Sequence, residues 1–349
     1  MVPHVLMLGW GFPPNVSGGL DTAVGELFEQ FDTRDDVAID LVLPEEYAPD
    51  RPHVHGVPTG EGDVRERINR LSETFVDRAA DADIVHTHDW FGYGPGSRAH
   101  AAHDIEWVTT YHSLTSDRNR DPPARERETE QRIVDQADHL VAVSDLVRRS
   151  IDAEYGGESH VIHNGFSSVE ATGRDLKAEL DVAGDMLFFV GRHTHQKGIE
   201  HLVYALDRFD PGEVTLVVGG TGHLTDRLKA FVDLLGIEEM VEFVGYVPEP
   251  DLGDYYASAD AFVSPSLSEP FGITIVESLS VGTRVVACES GAAEVLPEGC
   301  LTEVDPHSRS IARGIREALD AGPLPAYDPR GWDTVADEHV EFYRSILAD

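Results

Sequence analysis

The chain has 349 residues, 41% of them hydrophobic, and sets 27 Lys and Arg against 64 Asp and Glu for a formal net charge of −37. That length suits two domains of roughly 100–200 residues each, and so acidic a surface excludes binding to nucleic acid and disfavours anionic membranes. The acids are spread over every segment and lysine occurs only at Lys177, Lys197 and Lys229, which points to a cytoplasmic protein hydrated in high salt, where the Debye length falls to about 3 Å at 1 M.

The opening MVPHVLMLGW lacks a basic n-region and reads as a first strand, over 4–9, rather than a signal peptide. Helical spacing follows over 20–31, then apolar strand runs at 38–44, 83–89, 106–112 and 139–144. The rhythm restarts after 163–175, a stretch of small and polar residues that reads as a linker. Strands are expected at 186–191, 214–220, 241–247, 261–266 and 284–288, a helix at 198–209, and a closing amphipathic helix at 333–348. The expected organisation is α/β: a doubly wound parallel-sheet domain over 1–165, a second over 166–328, and a tail, 329–349, packing back on the first. No run reaches the roughly 18 apolar residues of a membrane helix. Two cysteines, Cys288 and Cys300, make no disulfide framework, so a reducing compartment is expected.

Open parallel sheets bind ligands beyond the carboxyl ends of their strands, and the notable residues follow strands. VGRHTHQKG, 190–198, places Arg192 and Lys197 after a strand and Gly191, just before a helix start. Cations beside free backbone N–H groups make a phosphate site; the alternative is a solvated loop. His193 and His195 are too few ligands for zinc. Gly18 and Gly19 precede the first helix and let backbone approach a diphosphate or sugar. Gly9-Trp10-Gly11 does not extend to a dinucleotide fingerprint, because Pro13 and Pro14 stand where its helix would begin. In SEPFGITIVES, Pro270 keeps Glu269 in a loop, Gly272 permits close packing, and a helix from Ile273 carries Glu277. Of the two carboxylates, one would hold sugar hydroxyls and the other a ribose.

His86 and His88 alternate on one strand face, and Asp89 and Trp90 follow them. All four are acceptor candidates: a carboxylate for hydroxyls, a ring for stacking, two imidazoles for contact. The alternatives are satisfied polar residues and a core tryptophan. Asp81-Ala82-Asp83 precedes its strand, at the wrong end of the sheet for a ligand, so no metal is implied. Residues 117–132 concentrate arginine interleaved with Glu126, Glu128 and Glu130, and read as a solvated helix laced with i,i+4 pairs rather than a membrane contact.

These stretches, with GGTG at 219–222, VIHNGFS at 161–167 and VSDLVRR at 143–149, resemble the retaining GT-B glycosyltransferases of family 4 over most of the chain. The resemblance implies two Rossmann-like domains facing across a cleft. It implies that Arg192 and Lys197 hold a donor diphosphate, Glu269 the donor-sugar hydroxyls and Glu277 the ribose. Backbone at Phe271, Gly272 and Ile273 would meet sugar or phosphate, and the segment Tyr246–Val247 the base. Gly18, Gly19, Gly191 and Gly222 would line the donor, and His112 would touch its sugar from the other domain. SGGLDT and HTHDW look more like the glycogen and starch synthases, which leaves the acceptor open among sugar, glycan and lipid-linked kinds.

The expected activity is metal-independent, retaining hexosyl transfer from a UDP, GDP or ADP sugar, with no other cofactor. Glu269 and Glu277 are too far apart in the chain for the paired carboxylates, about 5 Å apart, of a retaining hydrolase. An α-glucan synthase, a nucleotide-sugar epimerase and a non-catalytic nucleotide-sugar-binding protein are the alternatives.

Overall fold

A computed structural model describes residues 2–13, 18–327 and 329–348; Pro14 lies outside them. The chain forms two compact units, one of Met1–Ser116, Arg120–Gly165 and Arg330–Asp349, the other of Asp117–Asn119 and Phe166–Pro329.

In the first unit the strands are β1 (His4–Leu8), β2 (Ala38–Pro44), β3 (Val54–Val57), β4 (Ile84–His88), β5 (Glu106–Tyr111), β6 (His139–Ala142) and β7 (His160–Val161). They pair in parallel in the order β3-β2-β1-β4-β5-β6-β7. The inner strands are continuous Val, Ile and Leu runs because helices cover both faces of such a sheet. The helices are α1 (Gly19–Asp32), α2 (Val64–Ala79), α3 (Tyr93–His103), α4 (Thr115–Arg118), α5 (Ala124–Gln136) and α6 (Asp145–Tyr155). The tail helix, Trp332–Ile346, lays Trp332, Val335, Ala336, Val340 and Tyr343 into one core with Val24, Phe28 and Phe31 of α1. The edge strands β3 and β7 escape a sequence reading, since VHGV is half-buried and β7 is two residues long.

In the second unit the helices are α7 (Leu176–Glu179), α8 (Ile199–Leu206), α9 (Thr225–Leu235), α10 (Glu249–Ser258), α11 (Ile273–Ser280) and α12 (Ser308–Asp320); Trp332–Ile346 is α13. The strands are β8 (Asp185–Val190), β9 (Val214–Gly219), β10 (Val241–Gly245), β11 (Ala261–Ser264), β12 (Arg284–Ala287) and β13 (Leu301–Glu303). Their parallel order is β10-β9-β8-β11-β12-β13. Leu187, Phe189, Leu216, Val218, Val263 and Val286 meet Leu202, Val203, Leu228 and Ile311 in its core.

Strand order reverses direction at two places. From β8 the chain runs outward through β9 and β10, then returns to place β11 on β8's other side. In the first unit the same reversal separates β1 from β4. Loops leaving adjacent strands toward opposite helix layers open a crevice at such a point. The segments after β8 and β11, and after β1 and β4, are the ones carrying the residues singled out above.

Candidate active site

The loop after β8 is built on glycine. Gly191 N–H donates to Gly219 O, His193 N–H to Thr221 O, and Leu224 N–H to His193 O, so the loops after β8 and β9 are zipped together. A Cβ on Gly220, whose φ is 98°, would lie 2.0 Å from Gly191 O, and one on Gly222 would lie 2.5 Å from His193 O. Only glycine permits this approach of two backbones. His193 is buried, with Nδ1 2.8 Å from Thr225 Oγ1 and Nε2 3.4 Å from Gly219 O. Burial pushes its pKa down, so it acts as a neutral staple within the loop. His195 reaches Glu200 instead, at 3.0 Å.

A short 3-10 turn over His195–Lys197 ends at Gly198, which has φ 60° and begins α8. Leu267 N–H donates to Gln196 O, joining this turn to the loop after β11. Lys197 Nζ lies 2.6 Å from Glu269 Oε2, and Ser266 Oγ donates to the same oxygen at 2.8 Å. Glu269 is buried, and Lys197 is mostly so. Arg192 is exposed by area, yet enough protein surrounds its guanidinium to push its pKa down from the ordinary value. Among the described residues no carboxylate pairs with Arg192. One cation of the loop is therefore held by a carboxylate and the other stands unpaired.

Glu269 makes an isolated parallel bridge with Ser290, and Phe271 O accepts Ala292 N–H. These bonds fasten the loop before Gly272, whose φ of 101° starts α11. Ile273 is the first residue of that helix, and the first N–H groups of a helix have no partner within it. Glu277 sits on the second turn and accepts Tyr256 O–H at 2.9 Å. Some of its surface is accessible, but protein surrounds the carboxyl, and burial pushes its pKa up to about 7. Tyr246 is exposed and Val247 buried, in the link between β10 and α10. Ser266 and Tyr256 had no signal in the sequence, because each contact joins separate elements.

In the first unit, Gly18 is the N-cap of α1 and Gly19 its first residue. His86, His88 and Asp89 of the HTHDW stretch turn out to be internal, which corrects three acceptor candidates. His86 is fully buried; its Nδ1 lies 2.6 Å from Tyr343 Oη and its Nε2 2.7 Å from Thr110 Oγ1. His88 is equally buried, with Nδ1 3.2 Å from His112 Nε2. Burial pushes both imidazoles well below their ordinary value, so they are neutral core groups. Asp89, at φ 47°, turns its carboxylate to the backbone N–H groups of His112, 2.8 Å, and Ser113, 3.4 Å. It fixes the loop that carries His112 rather than presenting oxygens to a sugar. Trp90 is half-buried with the Arg65 guanidinium over its ring at 4.6 Å, so one stacking face is occupied.

The helix read from 117–132 also differs. Glu130 is buried, accepting Thr115 N–H and Oγ1–H, each at 2.8 Å, and Tyr155 O–H at 2.6 Å. Its expected i,i+4 ladder does not form: Arg125 and Arg132 make no ion pair among the described residues. No group of three His, Cys, Asp or Glu among those residues could hold a metal ion. No helix among them is long and apolar enough to cross a membrane.

Residues 177–327 match the model of the glycosyl transferases group 1, and residues 17–168 that of glycosyltransferase family 4. An uncharacterised glycosyltransferase of Methanocaldococcus jannaschii is 25% identical over 98% of each chain. The α-maltose-1-phosphate synthase of Mycolicibacterium smegmatis is 27% identical over 99% of this chain and 100% of its own. Sucrose-phosphate synthase from Thermosynechococcus elongatus superposes with a TM-score of 0.78 at 22% identity, covering 99% of each chain. Two Rossmann-like parallel sheets of this order, with a cation-rich loop at a switch point, define the GT-B class. The chain is a GT-B glycosyltransferase, with a family 4 match over its first half and a group 1 match over its second.

Proposed function

We propose that this glycosyltransferase moves a hexose from a nucleotide diphosphate sugar to a small sugar-type acceptor and keeps the anomeric configuration. The observation that carries the reading is the Lys197–Glu269 pair beside the unpaired Arg192, at the β8/β11 reversal. A cation and a carboxylate within one hydrogen bond suit a ligand with phosphate next to sugar hydroxyls. Lys197 donates to Glu269 and shares its remaining donors with the diphosphate, and Arg192 takes the second phosphate. Glu277, once ionised, accepts vicinal ribose hydroxyls.

In the transfer, the bond from the anomeric carbon to the phosphate oxygen breaks while the acceptor oxygen approaches from the same face. The acceptor hydroxyl proton passes to that departing phosphate oxygen. Negative charge grows on the diphosphate, and Arg192, Lys197 and the N-terminal ends of α8 and α11 stabilise it. In this reading the side-chain cations supply the counter-charge, without a metal. The α-maltose-1-phosphate synthase relative supports a sugar acceptor, and because His86, His88 and Asp89 are internal, they do not argue for a glucan polymer.

Thermal-shift screening against UDP, GDP and ADP sugars in high KCl tests the donor. One nucleotide sugar should raise the melting temperature, and Lys197→Ala should remove that rise. NMR of the glycoside formed from an α-linked donor should show an α product. No response to any nucleotide sugar, or a β product, would sink the reading.

A further inference from the structure

The first unit contains a second cationic site, built from residues other than the Arg192 and Lys197 loop. A cavity of about 500 Å³ lies among α2, α3, α5 and the turn at Trp90–Gly92. Arg65, Arg98, Arg125 and Arg132 line it together with Trp90, and Glu128 is its one carboxylate. In a chain of net charge −37 this is unusual. Several arginines elsewhere are matched to acid: Arg34 to Asp36, Arg51 to Glu29 and Asp32, Arg174 to Glu179, Arg330 to Glu338, Arg344 to Asp36. None of the four cavity arginines makes an ion pair among the described residues.

The site is also ordered. Arg65 lies over the Trp90 ring at 4.6 Å and donates to Thr129 Oγ1 at 3.3 Å. Its pKa is pushed down, by burial first and by Arg125 next. Two guanidiniums are thus held close; Glu126 and Asp63 act on Arg65 without forming an ion pair with it, and a bound anion would relieve the remaining cost. Arg65 and Arg125 are each the second residue of their helices, α2 and α5, and Tyr93 begins α3, so three helix N-terminal ends converge here. A cavity of this size fits a small-molecule ligand. Arg98 stands on the rim toward a neighbouring depression that holds Glu73 and Asp77, which leaves Arg65, Arg125 and Arg132 as the core of the site. A second arginine cluster, at Arg208, Arg309, Arg313 and Arg316, lacks these features: Glu317 and Asp320 line it, and Arg313 pairs with Glu317.

We propose that the cavity of Arg65, Arg125, Arg132 and Trp90 binds a phosphate monoester. This goes beyond the proposed transfer, which assigns none of these residues a role. The phosphate can come from a soluble sugar phosphate or from the headgroup of a phosphatidic-acid lipid.

The test uses the full chain carrying Arg192→Ala and Lys197→Ala, so that the donor loop contributes no phosphate binding. Inorganic phosphate and glucose 6-phosphate are titrated by calorimetry and by tryptophan fluorescence, at low and high KCl. Vesicles of phosphatidylcholine with and without phosphatidic acid form the lipid arm. Saturable one-to-one binding is expected, with Arg125→Ala/Arg132→Ala weakening it by about tenfold or more. Arg125→Lys/Arg132→Lys should recover part of it. Arg125 and Arg132 are exposed and make no ion pair among the described residues, so both pairs should melt like their parent. Binding of sugar phosphate alone identifies a soluble ligand; binding only of phosphatidic-acid vesicles, lost in the alanine pair, identifies a headgroup. No saturable binding in any arm, or affinity unchanged by the alanine pair, overturns the proposal.

Discussion

Lys197 Nζ and Glu269 Oε2 are 2.6 Å apart, although 72 residues separate them in the chain. The pair exists because β8 and β11 are neighbours, and because Gly198 lets the turn after β8 pass under Pro265. Removing the cation leaves a buried carboxylate with Ser266 as its remaining side-chain donor. Lys197→Ala is therefore expected to lose about 3 kcal/mol of stability and about 10²–10³ in turnover. Adding Glu269→Gln should restore much of the stability and none of the activity. Denaturant melts and initial rates on the single and double variants separate the two effects; a single variant with parental turnover would refute the role of Lys197.

Gly198 has φ 60°, and a Cβ there would lie 2.1 Å from Pro265 O. Gly198→Ala must shift backbone on one side of the site. The expected cost is about 2–3 kcal/mol from strain and clash, with donor affinity falling as Lys197 moves. Gly212→Ala is the control: its φ is also positive, but open space surrounds it, so it should show the strain without the loss of donor affinity.

Burial raises the Glu277 carboxyl from 4.5 to about 7. Between those values the native state keeps a proton that the unfolded chain has released. This contribution to stability is complete below pH 4.5 and is lost as pH rises through 7. Glu277→Gln keeps an acceptor for Tyr256 and carries no charge. It should stabilise the protein at pH 8 by about 1–2 kcal/mol, discounted for the solvent the side chain still meets, and make little difference at pH 5. Thermal melts at the two values check this, and donor KM should rise in the variant at pH 8.

His339 gives the opposite slope. Burial pushes its imidazole from 6.5 down to about 4, against the bond from Nδ1 to Val335 O. Between pH 6.5 and 4 the unfolded chain takes up a proton that the native state excludes. Its contribution is complete above 6.5 and falls by about 3 kcal/mol as pH drops to 4. His339→Asn keeps a donor near Nδ1 and should flatten that acid limb in denaturant melts measured across the range; an unchanged slope would place the acid sensitivity elsewhere, with His86 and His88 the next groups to replace.

The net charge of −37 predicts self-repulsion at low ionic strength. The melting temperature should climb steeply as KCl is raised toward molar concentrations, where screening is nearly complete. A flat response would remove the argument for a high-salt cytoplasm.

Sheet strands and the loop after β8 were legible for a common reason. Buried parallel strands must be apolar runs, and glycine with cations between a strand and a helix marks a loop at the carboxyl end of the sheet. Thus Ala38–Pro44 is observed with its expected bounds, and Arg192, Lys197 and Glu269 follow the strands they were read to follow. The HTHDW residues misled because alternation fixes the face a side chain takes and not what covers that face. Helix α13, from the far end of the chain, supplies Tyr343 to His86. Residues 117–132 misled likewise: helix periodicity was visible, but Glu130 found Thr115 and Tyr155 instead of an arginine on its own helix.

By itself the amino-acid order determined the βα rhythm, the acidic surface and which loops carry charge, because these depend on neighbours along the chain and on composition. The tertiary structure alone decided that Lys197 meets Glu269, that His86 and Asp89 serve the interior, and that Arg65, Arg125 and Arg132 share a cavity. Those outcomes depend on which strands become neighbours and which helices cover them. Such distances are set by packing across the fold and leave no periodic trace in the sequence.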